Sequence, residues 1–276
     1  MSKLTPEDVV LRYSKRGMNI LKKYLKDGYC RTAAEKLLHA ERGTVLLTTG
    51  FYVAGYAETD GPLGTVAVAE ALNHLGFHSV VVTDKYCKGF FELKQLDVEY
   101  VDIAADEQVY EDILDKYNPV YMISIERCGE NAEHEYANMR GVSITSETAA
   151  IDHLFGLAPE KHIPTIGVGD GGNEIGMGNV KDIISEKLEL NPCVVPVDDL
   201  IIATTSNWGA YALTAWLQKL SGEEVLFTFA EAEPYLAATL EIGSVDGVLK
   251  EKKMGVDGFD MTVEKEILDS LAEAIA

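Results

Sequence analysis

Residues 162–180 read HIPTIGVGDGGNEIGMGNV and are the clearest indication of the fold, because a short apolar run leads directly into a loop of six glycines, two carboxylates and two amides. The apolar run predicts a strand, and the residues after the loop predict a helix. In an open α/β sheet, ligands bind at such strand-to-helix turns. Glycines leave the main chain accessible to a ligand, so we expect Gly169, Gly171 and Gly172 to contact one.

The same loop contains a G-x-G-x-x-G pattern at Gly167, Gly169 and Gly172. That pattern suggests a dinucleotide, but Asp170 lies inside it and Glu174 is predicted to open the following helix. Two carboxylates repel a bare pyrophosphate unless a divalent cation lies between them. Helix capping would explain one acid but not the six glycines. The loop therefore favours a cation site.

The rest of the chain alternates apolar strands with helical segments. The predicted strands cover 44–50, 79–84, 98–103, 120–125, 162–168 and 200–205. Nearly continuous apolar strands are typical of parallel sheets that are buried on both faces. We therefore predict one α/β domain over 1–276, with three layers: a mostly parallel twisted sheet and helices on both faces. Helices are expected near 6–25, 32–40, 62–75 and 262–276, the first two forming a helical N-terminal segment of about 1–42.

Composition limits the partners. With 45 acidic and 24 basic residues, the 276-residue chain carries a formal charge of −21, which argues against nucleic acid and anionic membranes. A small anionic substrate would need a bound cation in order to approach so acidic a protein. The sequence has no apolar run long enough for a membrane span, and its charged start does not resemble a signal peptide, so a cytoplasmic location is expected. The composition leaves a homo-oligomer open.

Polar residues collect where the predicted strands end. Because these ends share one edge of a parallel sheet, residues far apart in sequence should converge there. The positions expected to bind substrate are Thr49, Gly50, Glu58, Asp60, Gly169, Gly171, Gly172, Ser206 and Asn207. For Glu58 and Asp60, a turn with a helix cap is an equally good explanation.

The expected metal ligands are oxygen donors: Asp170, Glu174, Glu126 and Asn173. Without paired His or Cys, such a set favours Mn²⁺ or Mg²⁺ over zinc. Glu126 directly follows an apolar strand and would be costly to bury without a partner. Strand alternation sends its neighbour Arg127 to the other face, so we assign metal binding to Glu126 and anion binding to Arg127. The expected catalytic residues are Asp170, Glu126 and Arg127.

Neither the cysteines nor the histidines are better candidates for metal binding or catalysis than these oxygen donors. The four cysteines form no C-x-x-C pair, and only Cys128 follows a predicted strand, where a nucleophile can lie. A buried neutral thiol is the commoner state. The six histidines form no metal-binding pattern.

Several motifs together resemble the D-glutamate cyclase C-terminal domain family. They are TTGF at 48–51, ETDGPLGT at 58–65, SIERCGEN at 124–131, NMRG at 138–141 and the glycine loop. The similarity runs from about 44 to 238. The resemblance implies an enzyme that converts D-glutamate to 5-oxo-D-proline.

Three functions remain open. Metal-dependent hydrolysis of a phosphate ester fits the acidic loop and the hard-metal ligand set, and it is our first hypothesis. Cyclisation of D-glutamate, a lyase reaction, fits the resemblance. A module that binds a metal or an anion without chemistry is the third, because fold alone does not separate these functions.

Overall fold

The structure, a computed structural model, describes residues 4–276. Its strands, in chain order from β1 to β10, are Thr44–Thr48, Tyr52–Val53, Tyr56–Ala57, His78–Thr83, Asp97–Tyr100, Tyr121–Ile125, Thr165–Gly169, Asp199–Ile202, Gly255–Val256 and Phe259–Asp260. Its α-helices, from α1 to α10, are Pro6–Val10, Met18–Leu21, Tyr29–His39, Pro62–His74, Glu107–Tyr117, His153–Lys161, Lys181–Leu188, Ser206–Ser221, Phe229–Ile242 and Met261–Ile275.

Six strands form a central parallel sheet in the order β5-β4-β1-β6-β7-β8. Counted along the chain, this is the doubly wound order 3-2-1-4-5-6, whose switch point lies between the first and fourth strands. In this protein those strands are β1 and β6. Ligands are expected outside the carboxyl ends of the strands at such a point.

Strand residues alternate between two apolar layers. Leu47 and Ile123 join the layer that contains α3, α4 and α8, whereas Leu46 and Met122 join the layer that contains α5 and α6. Helices therefore cover both faces, and the predicted three-layer α/β architecture is confirmed. No helix among residues 4–276 combines the length and apolar character needed to cross a lipid bilayer.

The helix predicted over 6–25 is wrong in its middle. Helix α1 ends at Val10, and α2 begins only at Met18, after Gly17 with φ of 82°. A β-carbon on Gly17 would overlap the side chain of Leu188, so the turn requires glycine. The interruption matters for function because it carries Arg16 towards the carboxyl edge of the sheet.

The helix after the glycine loop also begins later than expected. Glu174 lies in the loop, a 3₁₀ turn spans Met177–Val180, and α7 starts at Lys181. Glu174 is therefore not in the first turn of that helix.

Candidate active site

Three carboxylates from different loops converge at the carboxyl edge of the sheet. One oxygen each from Asp60, Glu126 and Asp170 lies within 4.8 Å of the others. Asp60 precedes α4, Glu126 follows β6 and Asp170 follows β7. All three are almost completely buried. The structure thus brings together Glu126 and Asp170, which were expected as metal ligands, and adds Asp60 to them. We call these three residues the acidic trio.

Glu126 reaches the trio through an unusual backbone conformation. Its φ is +49°, in the left-handed region, although the preceding residues are regular strand. The amide of Glu126 still donates to the carbonyl of Val168, and the hydroxyl of Ser206 donates to Oε2 of Glu126. Non-glycine residues in this region are often associated with function. Ser206, expected at the site, therefore orients Glu126.

Asp60 is held by the N-terminus of α8. Its two carboxylate oxygens accept hydrogen bonds from the amides of Ser206 and Asn207 at 2.8 and 2.7 Å. In return, Oδ1 of Asn207 accepts from the amides of Gly61 and Gly64 at the start of α4. Each residue therefore satisfies amides at the beginning of the other's helix.

Arg16 is the cation in direct contact with the trio. Its Nη1 lies 2.6 Å from both carboxylate oxygens of Asp170, and its Nη2 lies 2.6 Å from Oδ2 of Asp257. Neither Arg16 nor Asp257 was among the site residues expected from the sequence. Neither follows a strand of the central sheet, and Arg16 lies within a segment expected to be helical. Only Gly17, a helix-breaking residue, signals the turn.

Negative charge exceeds positive charge in this region. The pKa values of Glu58 and Glu126 are raised well above the usual value for glutamate. Burial is the larger cause, and repulsion by neighbouring carboxylates adds to it. Burial and Asp257 raise the pKa of Asp60 to about 8, against the hydrogen bonds from α8. Burial raises the pKa of Asp170 as well, although Arg16 opposes the shift. A bound cation would relieve this repulsion.

Glu174 contacts its own loop instead of the trio. Its Oε1 accepts from the amides of Asp170 and Gly171, and its Oε2 accepts from the amide of Gly172. Both carboxylate oxygens of Glu174 are therefore already hydrogen-bonded to backbone amides of the loop. Side chains also crowd Gly169 and Gly171, since a β-carbon at either position would lie within 3.0 Å of a Glu174 oxygen. The glycines here accommodate Glu174.

Asn173 lies nearer the cavity described below. Its Nδ2 donates to the carbonyl of Ala137 at 2.8 Å, while its Oδ1 is buried without a hydrogen-bond partner among the described residues. The side chain of Thr49 is also buried, and its hydroxyl is likewise unpartnered. Asn173 lines that cavity, whereas Thr49 does not.

Arg127 has a different role from the anion contact expected of it. It is fully buried, and its guanidinium donates to Asp84, to the carbonyl of Gly50 and to the carbonyl of Ala149 at 2.6 to 2.8 Å. The alternation of the chain directs Arg127 away from Glu126, as predicted, but into the protein. Arg127 therefore ties loops together, and it fixes Gly50, whose φ is +102°.

Cys128, which follows β6, does not supply a nucleophile. Cys128 is buried, and burial raises the pKa of its thiol, so it is not an activated nucleophile.

A cavity of about 190 Å³ adjoins the acidic trio. Glu126 is the member of the trio that lines it, beside Glu58 and Arg16. Pockets for drug-sized ligands enclose roughly 300–1,000 Å³, so this one favours a small metabolite. Its other lining residues are Phe51, Tyr52, Val53, Ala54, Asn138, Met139, Arg140, Ile144, Asn173, Gly247, Val248 and Lys250.

The acidic trio has the chemistry of a hard-cation site. Carboxylate oxygens suit Mg²⁺ and Mn²⁺, and the three converge without a hydrogen bond among themselves. Burial and then neighbouring carboxylates raise the pKa of Asp60 and Glu126, and a bound cation would oppose that shift. The trio could therefore hold a divalent cation.

Comparison with known proteins places this site in a family. The family model described as "D-glutamate cyclase-like, C-terminal" matches residues 7–272. The chain belongs to this family. The match begins before Arg16 and ends after Asp257, so the domain of this D-glutamate cyclase-like family includes every residue of the site.

A curated relative is human mitochondrial D-glutamate cyclase, which is 32% identical over 258 residues. The alignment covers 80% of this chain but only 40% of the human protein, so the chain spans less than half of that relative's length. Among solved structures, a UDP-glucose 4-epimerase from Brucella ovis matches 54% of this chain and 49% of its own, with 16% identity and a TM-score of 0.31. A glycosyltransferase from Rickettsia africae matches 59% and 42%, with 14% identity and the same TM-score. These structural likenesses are too weak to bear on function.

Proposed function

We propose that this protein is a divalent-metal-dependent enzyme that cyclises D-glutamate to 5-oxo-D-proline. The observation that carries the proposal is the buried acidic trio beside a small cavity, in a chain whose family and curated relative are both named for D-glutamate cyclase. The trio supplies a cation site, and the cavity suits a small metabolite.

The reaction sets out what the site must do. The amine nitrogen of D-glutamate forms a bond to the carbon of its own side-chain carboxyl group, one carbon–oxygen bond of that group breaks, and water leaves. The substrate amine is protonated at neutral pH, so a base must first remove a proton. A base is most effective when its pKa lies near the working pH.

Glu58 is our candidate for that base. It lines the cavity, and its carboxylate has no hydrogen-bond partner among the described residues. Burial and the nearby Asp257 and Asp60 raise its pKa well above the usual value, which makes its carboxylate a stronger proton acceptor. Its negative charge would also attract the substrate's ammonium group.

Asp60, Glu126 and Asp170 would hold the metal. When bound, a divalent cation supplies polarisation of the carboxyl group under attack. Ser206 would keep Glu126 oriented through its hydrogen bond to Oε2. The apolar walls of the cavity, including Phe51 and Ile144, would limit the access of water.

Phosphate-ester hydrolysis, our first hypothesis from sequence, receives no support from the comparisons, and the cyclase alternative does. A module that binds a metal or an anion without chemistry remains one outcome of the test.

The test measures turnover directly. Purified protein would be incubated with D-glutamate, L-glutamate or a generic phosphate ester, in the presence of Mn²⁺, Mg²⁺ or a chelator, and the products would be followed by chiral chromatography. We expect 5-oxo-D-proline from D-glutamate only, and only with metal. Phosphate release, or no turnover at all, would contradict the proposal.

A second arm uses Asp170→Asn, which preserves volume but removes the charge that would hold the cation. We expect the variant to stay folded while losing metal affinity and at least about a hundredfold in turnover, the scale of losing electrostatic stabilisation in a transition state. The matched control is Asp182→Asn, an exposed acid in the first turn of α7. Wild-type turnover in Asp170→Asn would show that Asp170 is not a metal ligand.

A further inference from the structure

Two cations line the cavity without a partner. Arg140 and Lys250 come from distant segments, yet both border the cavity that contains Glu58 and Glu126. Neither side chain has an ion pair or hydrogen bond within the part of the chain that the structure describes. Arg16 is different, because Asp170 and Asp257 already occupy its guanidinium.

Each of these cations is presented by a turn that a polar side chain organises. Oδ1 of Asn138 accepts from the amides of Arg140 and Val142, at 2.9 and 3.1 Å. On the other segment, the buried carboxylate of Asp246 accepts from the amides of Val248, Leu249 and Gly258. The two loops are therefore held in place, and the side chains of Arg140 and Lys250 extend from them.

The cavity is thus lined by charges of both signs. Glu58 and Glu126 are acidic and nearly buried, whereas Arg140 and Lys250 are basic and exposed. Such a division suits an amino acid, whose ammonium group would face the acids and whose carboxylate would face the bases.

We propose that Arg140 and Lys250 bind the α-carboxylate of the substrate, the group that the cyclisation leaves unchanged. The assignment rests on the proposed function for the identity of the substrate. It follows from charge and position: the side-chain carboxyl group must reach the metal-binding trio, and the amine must reach Glu58. The α-carboxylate is then the one charged group left for the two free cations, and Arg and Lys are the usual partners of carboxylates.

The test compares D-glutamate with D-isoglutamine, in which an uncharged amide replaces the α-carboxylate while the reacting groups are retained. Wild-type protein should prefer D-glutamate in kcat/KM. Arg140→Met and Lys250→Met should each raise the KM for D-glutamate about tenfold, as expected for losing a charge-assisted hydrogen bond, with kcat nearly unchanged. Both variants should also lose most of the preference over D-isoglutamine. Lys252→Met, an exposed neighbour that does not line the cavity, is the control and should behave as wild type.

A binding measurement separates this inference from the proposed function. Calorimetric titration with glutarate, an unreactive dicarboxylate, should give a weaker affinity in Arg140→Met and Lys250→Met than in wild type and Lys252→Met. If no variant or wild type turns over D-glutamate but this pattern of glutarate binding is found, the cyclase proposal fails and carboxylate binding stands. If the enzyme is active and both variants keep the wild-type KM and preference, the assignment of Arg140 and Lys250 is wrong.

Discussion

At the scale of single residues, the site depends on close contacts that only particular side chains allow. Gly247 lies against Glu58, and a β-carbon at this position would overlap Oε2 of Glu58. Its φ does not lie in the left-handed region, so the backbone itself would accept alanine. The absence of a side chain at position 247 therefore leaves room for the candidate base.

Gly247→Ala should displace the Glu58 carboxylate, because the flexible end of that side chain can move more easily than the backbone. We expect turnover of D-glutamate to fall by at least about tenfold, within the usual contribution of general base catalysis, while the melting temperature changes little. Gly156→Ala, within α6, is the control: apart from its chain neighbours and the backbone of its own helix, no described atom lies within 4 Å of the added carbon. Full activity in Gly247→Ala would argue against Glu58 as the proton acceptor.

At the scale of elements, α4 and α8 begin beside each other and share their caps. Asn207 accepts from two amides of the α4 N-terminus and donates to the carbonyl of Thr59, while Asp60 accepts from two amides of α8. The helices also pack closely, since a β-carbon on Gly64 would lie 2.8 Å from that of Ala210. Asp60 is therefore positioned by this pair of helices.

Asn207→Ala should destabilise the protein by about 2 kcal/mol, because it leaves buried amides of Gly61 and Gly64 without an acceptor. The measurement is urea unfolding followed by circular dichroism. Asn19→Ala, at an exposed position in α2, provides the comparison and should stay within about 0.5 kcal/mol of wild type. An unfolding midpoint for Asn207→Ala equal to that of Asn19→Ala would show that the shared caps contribute little.

At the scale of the whole molecule, metal binding should raise stability, because the unfolded chain does not assemble the trio. A ligand that binds only the native state adds RT ln(1 + [L]/Kd), about 2.7 kcal/mol at a hundredfold excess over Kd. Mn²⁺ or Mg²⁺ should therefore increase the melting temperature relative to chelator in wild type and not in Asp170→Asn. If saturating metal leaves the melting temperature unchanged, the proposal that the trio binds a cation is wrong.

A second property of the whole molecule is its response to pH through Glu264. This buried carboxylate accepts hydrogen bonds from Trp208 and Tyr211, and burial raises its pKa above the usual 4.5 despite those bonds. A carboxyl group with a raised pKa in the folded state binds more protons there than in the unfolded state. The free energy of unfolding therefore falls as pH rises above about 4.5.

Glu264→Gln removes this titration and keeps an acceptor for Trp208. Its melting temperature, relative to wild type, should be higher at about pH 8 than at about pH 5. Glu273→Gln, at an exposed position of α10 without an ion pair among the described residues, serves as the control. A constant difference between Glu264→Gln and wild type across this range would show that Glu264 titrates normally.

The architecture and the edge of the sheet where the candidate site lies could both be predicted from the sequence. Apolar strands separated by helices indicated a parallel three-layer fold, and polar residues at the strand ends marked its carboxyl edge. These signals are local, since they depend on the period of apolar residues and on the residue that ends each strand. Glu126 and Asp170 could be predicted to meet for that reason.

Which carboxylate oxygens come together could not be predicted, because it depends on tertiary contacts. The tertiary structure placed Asp60, and not Glu174, with Glu126 and Asp170, because Glu174 turns back to the amides of its own loop. It directed Arg127 inward to Asp84 and brought Arg16 to Asp170 across 154 positions of the chain. Such contacts depend on side-chain direction and on segments distant in sequence, and neither leaves a periodic pattern that a single sequence displays.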